Sequence, residues 1–558
     1  MREGARDDAE EYDVVILGAG INGAGLFRDL CEQGLRCLIV DKGDFGSGTS
    51  AAPSRLIHGG LKYLETGEFR LVAESTLERN LMLRNARHLV RPLPTMIPIH
   101  SWTKGIWPAL RTFLGSTTAP RSRGALLVKA GLRLYDFYGA RERQMPRHRM
   151  LSRARALAEV PALTPGIVAV GTYYDAAVTA AERLVLELVQ DGLAAMPDCV
   201  ALNWASLEAA RDGVLEIATA DGARRYARPK IVVNATGPWI DRVNADLGLD
   251  TRLIGGTKGS HVLLDHPELV RQLAGRMIYF EDDDGRILLV YPYHGRALVG
   301  STDIPAADPD NVVCEPDELD YFMGSLRALL PGLDFSLDQV VYAYAGIRPL
   351  PSSEGTAPGL ISRDHSAPVH EAATGRPFPV ISLVGGKWTT FRGFAEEIAD
   401  MLLARLGKPR RISTRELPIG GGRDMPADPD ARSRWHGETA AASGVTPRRV
   451  AVLLDRYGTT AAAIAAHEAR SRKAFLIDGS SDYSSAEIDW IVRHERVCHL
   501  EDVVLRRTQL AITGRLTGKG LAEIGAITAA ALGWSEGQAR EEQEATKRRL
   551  ADCHGVRL

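Results

Sequence analysis

Residues 12–41 read YDVVILGAGINGAGLFRDLCEQGLRCLIVD. The run Val14-Val15-Ile16-Leu17 predicts a buried strand, Gly18-Ala19-Gly20-Ile21-Asn22-Gly23 a turn into a helix reaching about Gln33, and Gly34 the stop of that helix. Cys37-Leu38-Ile39-Val40 then predicts a second strand. This is a βαβ unit with GxGxxG between its first strand and its helix, which is the pattern of a dinucleotide site. Gly18 permits the tight turn, Gly20 lets backbone amides approach a pyrophosphate, and Gly23 allows close helix-to-strand packing. The amino terminus of the helix favours the negative charge. Asp41 ends the second strand, placed to accept hydrogen bonds from a ribose. The fingerprint alone does not separate NAD from FAD.

Further strands of the same kind follow. Ile231-Val232-Val233 ends in Asn234-Ala235-Thr236-Gly237, as a parallel strand delivering its carboxyl end to a ligand crevice would, and residues 380–400 supply a third such element. Residues 286–303, RILLVYPYHGRALVGSTD, have a different texture, with short β-rich runs around turn residues. They predict an antiparallel-sheet substrate domain interleaved with the nucleotide-binding one. After about residue 420, past Gly420-Gly421-Gly422 and the Pro426/Pro429 pair, the chain turns alanine-rich and helical in character. The expected fold class is therefore α/β, a Rossmann-like nucleotide-binding domain with its interleaved substrate domain over 12–415 and an α-helical domain over 416–558. Residues 1–11 are expected to be a disordered tail.

With 558 residues and 45% hydrophobic content, more than one core is expected. The net charge of -2 gives no electrostatic case for nucleic acid. The six cysteines show no CxxC pair, and no cluster of histidine, cysteine or carboxylate has ligand spacing, so no metal is assigned. A reducing cytoplasm suits them. The amino terminus lacks the features of a secretory signal, and no stretch approaches the ~20 apolar residues of a membrane span. One region is strongly basic. Over 100–155, twelve lysines and arginines face only Asp136 and Glu142, interleaved with Trp102, Trp107, Phe113, Leu126, Leu127, Leu132 and Tyr135. This predicts peripheral binding to an anionic membrane surface. The alternative reading of that face is a contact with a second copy of the chain, a homodimer.

Residues 41–76, DKGDFGSGTSAAPSRLIHGGLKYLETGEFRLVAEST, resemble the segment that follows the fingerprint in the FAD-dependent glycerol-3-phosphate dehydrogenase family. The resemblance continues through Arg87-His88-Leu89-Val90-Arg91-Pro92, Asn234-Ala235-Thr236-Gly237-Pro238-Trp239, Lys258-Gly259-Ser260-His261, Gly300-Ser301-Thr302-Asp303, Gly346-Ile347-Arg348-Pro349-Leu350, Ser362-Arg363-Asp364 and residues 385–392, GGKWTTFR. These motifs run in family order from about residue 13 to 395. The sequence departs from the family at Lys62, where arginine is usual and a bidentate fork is lost, at Asp41, where glutamate is common, and at Pro53.

The resemblance implies a glutathione-reductase or D-amino-acid-oxidase-like FAD domain, non-covalent FAD, glycerol 3-phosphate as substrate and a quinone as acceptor, at the inner face of the membrane. Another polyol phosphate, such as erythritol phosphate, or molecular oxygen as acceptor are the alternatives within enzymes. From a different class, a flavin-binding module without turnover would have no need of a phosphate clamp. Gly18, Gly20, Asn22, Gly23, Asp41 and Lys42 are implied at the adenosine end of FAD. Thr49, Ser50, Ser54, Leu56, His58, Ala235, Gly237, Gly386 and Lys387 are implied along the rest of the cofactor. Oxidising a secondary alcohol needs a base, for which His261 leads and His58 competes. A phosphorylated substrate needs fixed cations, assigned to Arg348 and Arg363, with Lys62, Tyr63 and Lys387 completing the site.

Overall fold

The computed structural model describes residues 9–64, 67–103, 124–142, 144–282, 285–306, 308–352, 365–471 and 474–558, without the Lys62 side chain. The strand Glu10–Leu17 sits in an eight-stranded sheet. It pairs in parallel with Cys37–Val40 on one side and Arg224–Asn234 on the other, and Val200–Leu202 and Val380–Ser382 extend the parallel set. The near-continuous apolar run of this strand is explained by burial on both faces. Val14 and Ile16 point into a core shared with the helices Ile21–Glu32, Ala181–Ala195 and Phe391–Arg405. Val15 and Leu17 point the other way, towards Leu215 and Ile217 of an antiparallel hairpin, in a core that Tyr12 joins at the start of the strand. Successive side chains of a strand alternate faces, so two cores are served by one short sequence.

The strand begins at Glu10, earlier than expected for a tail ending at residue 11. Glu10 and Glu11 pair with Ala227 and Arg228, and Arg36 and Arg225 lie against the Glu10 carboxylate, so two acids that looked like tail residues are compensated as strand.

The second sheet has ten strands. Residues 286–303 form the expected hairpin, Ile287–Tyr293 against Arg296–Gly300, turning through His294 and Gly295 at φ 48° and 81°. The strand Ile254–Leu264 lies between Arg296–Gly300 and Val340–Pro351, antiparallel to both. The sheet is antiparallel except where Met277–Glu281 meets Val90–Ile99 in parallel, so it is mixed, not purely antiparallel.

From Pro429 to His554 the described secondary structure is almost all helix. These helices are joined to the rest by an apolar core that mixes Ile488, Leu510 and Ile524 with Leu289, Tyr342 and Tyr344 of the second sheet. They are joined also by charge. Asp44, fully buried just past the second strand, takes Nη1 and Nη2 of Arg507 at 2.7 and 2.9 Å and Nε of Arg506 at 2.7 Å. Asn203 donates to the same carboxylate at 3.0 Å. Arg183 forms a bidentate pair with Glu495 at 2.8 and 2.9 Å.

No helix among the described residues is long and apolar enough to cross a membrane. Of the basic segment, 104–123 lies outside the described residues and with it Trp107 and Phe113. The helix Ala125–Tyr138 corrects part of the expected membrane-inserting set: Leu132 and Tyr135 are buried with Val128 against Val72 and Tyr173. They fall on the helical stripe that faces the core, at i, i+4 and i+7 from Val128. Of the described members of that set Trp102 and Leu126 are exposed, and so is Phe137, which the expectation did not include.

Burial alone would raise the Asp44 carboxyl, but Arg507 and Arg506 outweigh it and hold it at about 2. The carboxylate therefore contributes stability above the ordinary carboxylate range, and that stability is lost as pH falls towards 2. Asp44→Ala strips the buried Arg507 guanidinium of its close carboxylate and leaves Arg506 with Glu501 and Asp502 alone, which should cost about 3–5 kcal/mol. Thermal unfolding should show a lowered Tm, and limited proteolysis should release the helical region faster than in the parent.

Candidate functional site

A cavity of about 1820 Å³ is lined by residues of both sheets, among them Gly18 and Asp41 of the nucleotide-binding unit, Lys387, and His261 and Arg348 of the second sheet. That exceeds the several hundred Å³ of most small-ligand sites and suits an extended ligand with a second, smaller one beside it.

In the nucleotide-binding unit the glycines act as their spacing predicts. Gly18 has φ 98°, and a Cβ there would lie 2.7 Å from the Ala235 carbonyl oxygen. A Cβ on Gly23 would run into the Gly18 carbonyl. Ser50 Oγ accepts from the Ile21 amide at 2.9 Å, while the first turn of the helix Ile21–Glu32 carries no acidic side chain. A negative charge there is left for a ligand to supply. Asp41 accepts from the amides of Ala19 and Gly43 at 2.7 and 3.0 Å. Burial pushes its carboxyl up to about 6 against those two amides. Each of its oxygens keeps a lone pair for a ribose. Lys42 lies at the rim, paired with Asp310 at 2.8 Å over the Trp239 ring.

Thr49 donates to the Ile347 carbonyl at 2.6 Å, tying the 49–54 loop to the second sheet. Gly385 and Gly386 have φ 72° and 85°, and the Asn22 amide donates to the Gly385 carbonyl at 3.4 Å. Asn22 Oδ1 is buried with no partner in the protein. Ala235, Gly237 and Leu56 line the same cavity. The His58 amide donates to Thr389 Oγ1 at 3.1 Å. Its ring stacks near Tyr63, and Lys387 Nζ lies 3.5 Å from the centroid of the Tyr63 ring.

In the second sheet His261 is held on three sides. It stands on the strand Ile254–Leu264 directly between Gly300 and Tyr344 of the neighbouring strands. A Cβ on Gly300 would strike the imidazole, and the Tyr344 ring stacks against it at 4.9 Å and 11°. Nε2 lies 2.8 Å from Ser54 Oγ, while Nδ1 is buried without a partner. Only 1% of the residue is exposed. Burial first, then Arg348 and Arg55, hold its pKa well below the usual value, so the resting imidazole is neutral.

Arg348 is anchored from below. Its Nη1 lies 3.1 Å from Asp303 Oδ1, and Nη2 donates to Ser301 Oγ and the Thr302 carbonyl at 2.8 and 3.1 Å. Gly259 gives it room, since a Cβ there would overlap the guanidinium. Arg363 lies outside the described residues, as does the Lys62 side chain. The structure thus brings together His261, Ser54, Arg348, Tyr63, His58 and Lys387 around one cavity.

Sequence reasoning missed Glu182 and Tyr344, and it quoted Arg55, Gly300 and Asp303 only inside family motifs, without a role. Arg55 is buried at φ 55° and makes a bidentate pair with Glu182 at 2.7 and 3.0 Å. An ordinary residue in the left-handed region costs free energy and persists where the surroundings hold it, as this pair does. The alternation of tyrosines in Tyr342-Ala343-Tyr344 marks one face of a strand and was the available signal for Tyr344.

Comparison with known proteins gives a consistent picture. A family described as FAD dependent oxidoreductase matches residues 13–401, and the C-terminal domain of alpha-glycerophosphate oxidase matches 412–539. A glycerol-3-phosphate dehydrogenase of Synechocystis sp. is 32% identical over 94% of this chain and 94% of its own. An aerobic glycerol-3-phosphate dehydrogenase of Staphylococcus aureus is 30% identical over 76% of this chain and 73% of its own. The crystal structure of a glycerol-3-phosphate dehydrogenase from Bacillus halodurans, complexed with FAD, superposes with a TM-score of 0.74 at 21% identity over 99% of this chain and 96% of that one, which shows the fold. FAD fits the cavity's own features: a glycine turn at a helix terminus without an acid, the unpartnered Asn22 Oδ1, and the paired glycines 385 and 386.

Gly300→Ala should displace the imidazole, which Tyr344 prevents from yielding on the opposite face. A loss of about 1–3 kcal/mol in thermal stability is expected from the overpacking. The variant should bind FAD near the parent level, measured by flavin absorbance, while its flavin is reduced more slowly by substrate.

Proposed function

This chain belongs to the FAD dependent oxidoreductase family, and we propose that it oxidises sn-glycerol 3-phosphate to dihydroxyacetone phosphate and passes the electrons to a quinone. The observation that carries this reading is a buried neutral imidazole beside Arg348, in a dinucleotide-sized cavity that Lys387 also lines. A neutral imidazole can take a proton from an alcohol, and fixed cations can hold a phosphate dianion in a partly dry site. Bound FAD supplies the hydride acceptor. Gly18, Gly20, Gly23 and Asp41 hold its adenosine and pyrophosphate end, and Thr49, Ser50, His58, Gly386 and Lys387 line the flavin end. Arg348, together with Arg363 from the family motif, binds the phosphate, and Tyr63 and Lys62 complete the site. The names of the full-length relatives supply the particular polyol phosphate.

The acceptor is proposed as a quinone because the chain offers a surface that can reach a bilayer. Trp102, Leu126 and Phe137 are 59%, 57% and 72% exposed, and Lys129 and Arg133 are exposed on the same helix face as Leu126 and Phe137. Apolar insertion with basic residues flanking it suits an anionic leaflet, on the inner face of the membrane. A second reading is favoured by the match of 412–539 to a glycerophosphate oxidase domain: molecular oxygen as acceptor.

Anaerobic addition of glycerol 3-phosphate should bleach the flavin, and a quinone analogue should restore its colour faster than air does. Faster reoxidation by air assigns the oxidase reading. Arg348→Gln removes charge-assisted hydrogen bonds worth about 1.5–3 kcal/mol each, so kcat/KM should fall roughly ten- to a few hundredfold with flavin binding kept.

The protein should sediment with anionic vesicles at low salt and be released at high salt. Leu126→Ser/Phe137→Ser should weaken that binding without changing turnover with a soluble acceptor. Sedimentation indifferent to lipid charge, salt and both substitutions removes the membrane reading.

A further inference from the structure

We propose that the Ser54 hydroxyl relays the alcohol proton of the substrate to His261, so that serine, and not the imidazole, touches the reacting oxygen. The proposal rests on the oxidation of an alcohol with His261 as the terminal base, argued above. Four observations support it. With 1% of its surface exposed, His261 offers almost nothing to the cavity. Both ring faces are covered, one by Gly300 and the other by Tyr344. Of its two nitrogens, Nδ1 is buried and Nε2 is engaged by Ser54 Oγ at 2.8 Å. Ser54 itself is half-buried and lines the cavity, in the loop that carries Thr49 and Ser50 along the cofactor site.

The serine is also positioned to act. Tyr291 donates to the Ser54 carbonyl at 3.0 Å, and Tyr344, whose ring stacks on His261, donates to the Pro53 carbonyl at 2.9 Å. One tyrosine thus fixes both members of the pair, so their separation is set before substrate arrives. In the proposed step the substrate O–H bond breaks as its proton passes to Ser54 Oγ, and Ser54 gives its own proton to His261 Nε2. The carbinol C–H electron pair leaves with the hydride to the bound flavin, and the C–O bond becomes a carbonyl. The substrate loses one hydride and one proton, the flavin is reduced, the serine is unchanged and the histidine ends protonated. Its two cationic neighbours are each paired with a carboxylate, Arg55 with Glu182 and Arg348 with Asp303. The new imidazolium therefore forms beside compensated pairs, not beside bare cations.

The relay requires a hydrogen on Nδ1 and a lone pair on Nε2. Selective 15N-histidine labelling of the oxidised holoenzyme, with His261 assigned by its loss in His261→Ala, should show that tautomer, and Ser54→Ala should shift the Nε2 signal. Stopped-flow reduction should be slowed roughly a hundredfold or more by Ser54→Ala at saturating glycerol 3-phosphate, with apparent affinity changed by less than about threefold. Ser54→Thr, which keeps the hydroxyl, should recover most of the rate. Flavin absorbance and Tm establish that each variant is folded and loaded. If His261→Ala is slow and Ser54→Ala reduces its flavin at the parent rate, or if Nε2 carries the hydrogen, the relay is overturned while the base stands. If both variants reduce at the parent rate, the base assignment falls as well.

Discussion

The structure depends on how the segment from Asp41 to Arg55 is tied down. In these fifteen residues the chain leaves the nucleotide-binding sheet and makes contact with the first helix, the second sheet and the helical region. Asp41 holds the amides of Ala19 and Gly43, Asp44 holds Arg506 and Arg507 of the helical region, and Ser50 caps the first helix. Thr49 binds the second sheet, Ser54 meets His261, and Arg55 pairs with Glu182. A loop with so many fixed ends has little conformational freedom left to lose when a cofactor binds along it, which favours binding.

The Asp44 cluster carries the largest electrostatic stakes. Removing a carboxylate and two guanidinium groups from water is expensive, and only close geometry with further hydrogen bonds offsets it. Here the offset is thorough: Asp44 meets both arginines and Asn203, and Asp502 adds a second carboxylate to Arg506 and accepts from Trp204 and the amides of Cys498 and His499. A pair of this kind specifies position more than it adds stability. It sets the helical region against the loop that lines the cofactor cavity, so the two ends of the chain share one register.

The nucleotide-binding unit was legible because its signals are local. Strand, glycine turn, helix and terminal acid lie within 30 residues, and Gly18 and Gly23 are forced by contacts inside that unit or at Ala235 and Thr236, the end of a strand with its own apolar signature. His261, Arg348 and Lys387 were legible only through resemblance, since nothing near them in sequence announces a site. The pairings that give them their chemistry were not legible at all. Ser54 and His261 are 207 residues apart, Arg55 and Glu182 are 127 apart, and Asp44 and Arg507 are 463 apart. Such contacts follow from sheet order and register, which hydrophobic periodicity does not encode between distant strands. Leu132 and Tyr135 failed for the same reason: in a basic stretch they resemble membrane anchors, and only the partner face shows that they are core.

The character of the site follows from how its charges are compensated. Arg55 would be costly to bury alone, and Glu182 raises its pKa against that burial. Arg348 is met by Asp303, so neither arginine presents its full charge to the imidazole. Burial first, and then the residual field of the two, keeps His261 neutral, the state that a base needs at rest, at the expense of intrinsic basicity. A phosphate dianion at Arg348 would complete the compensation and make the imidazolium easier to form. On the proposed reading, substrate binding and proton acceptance are then linked through one guanidinium, and the base is strongest when the molecule that needs it is in place.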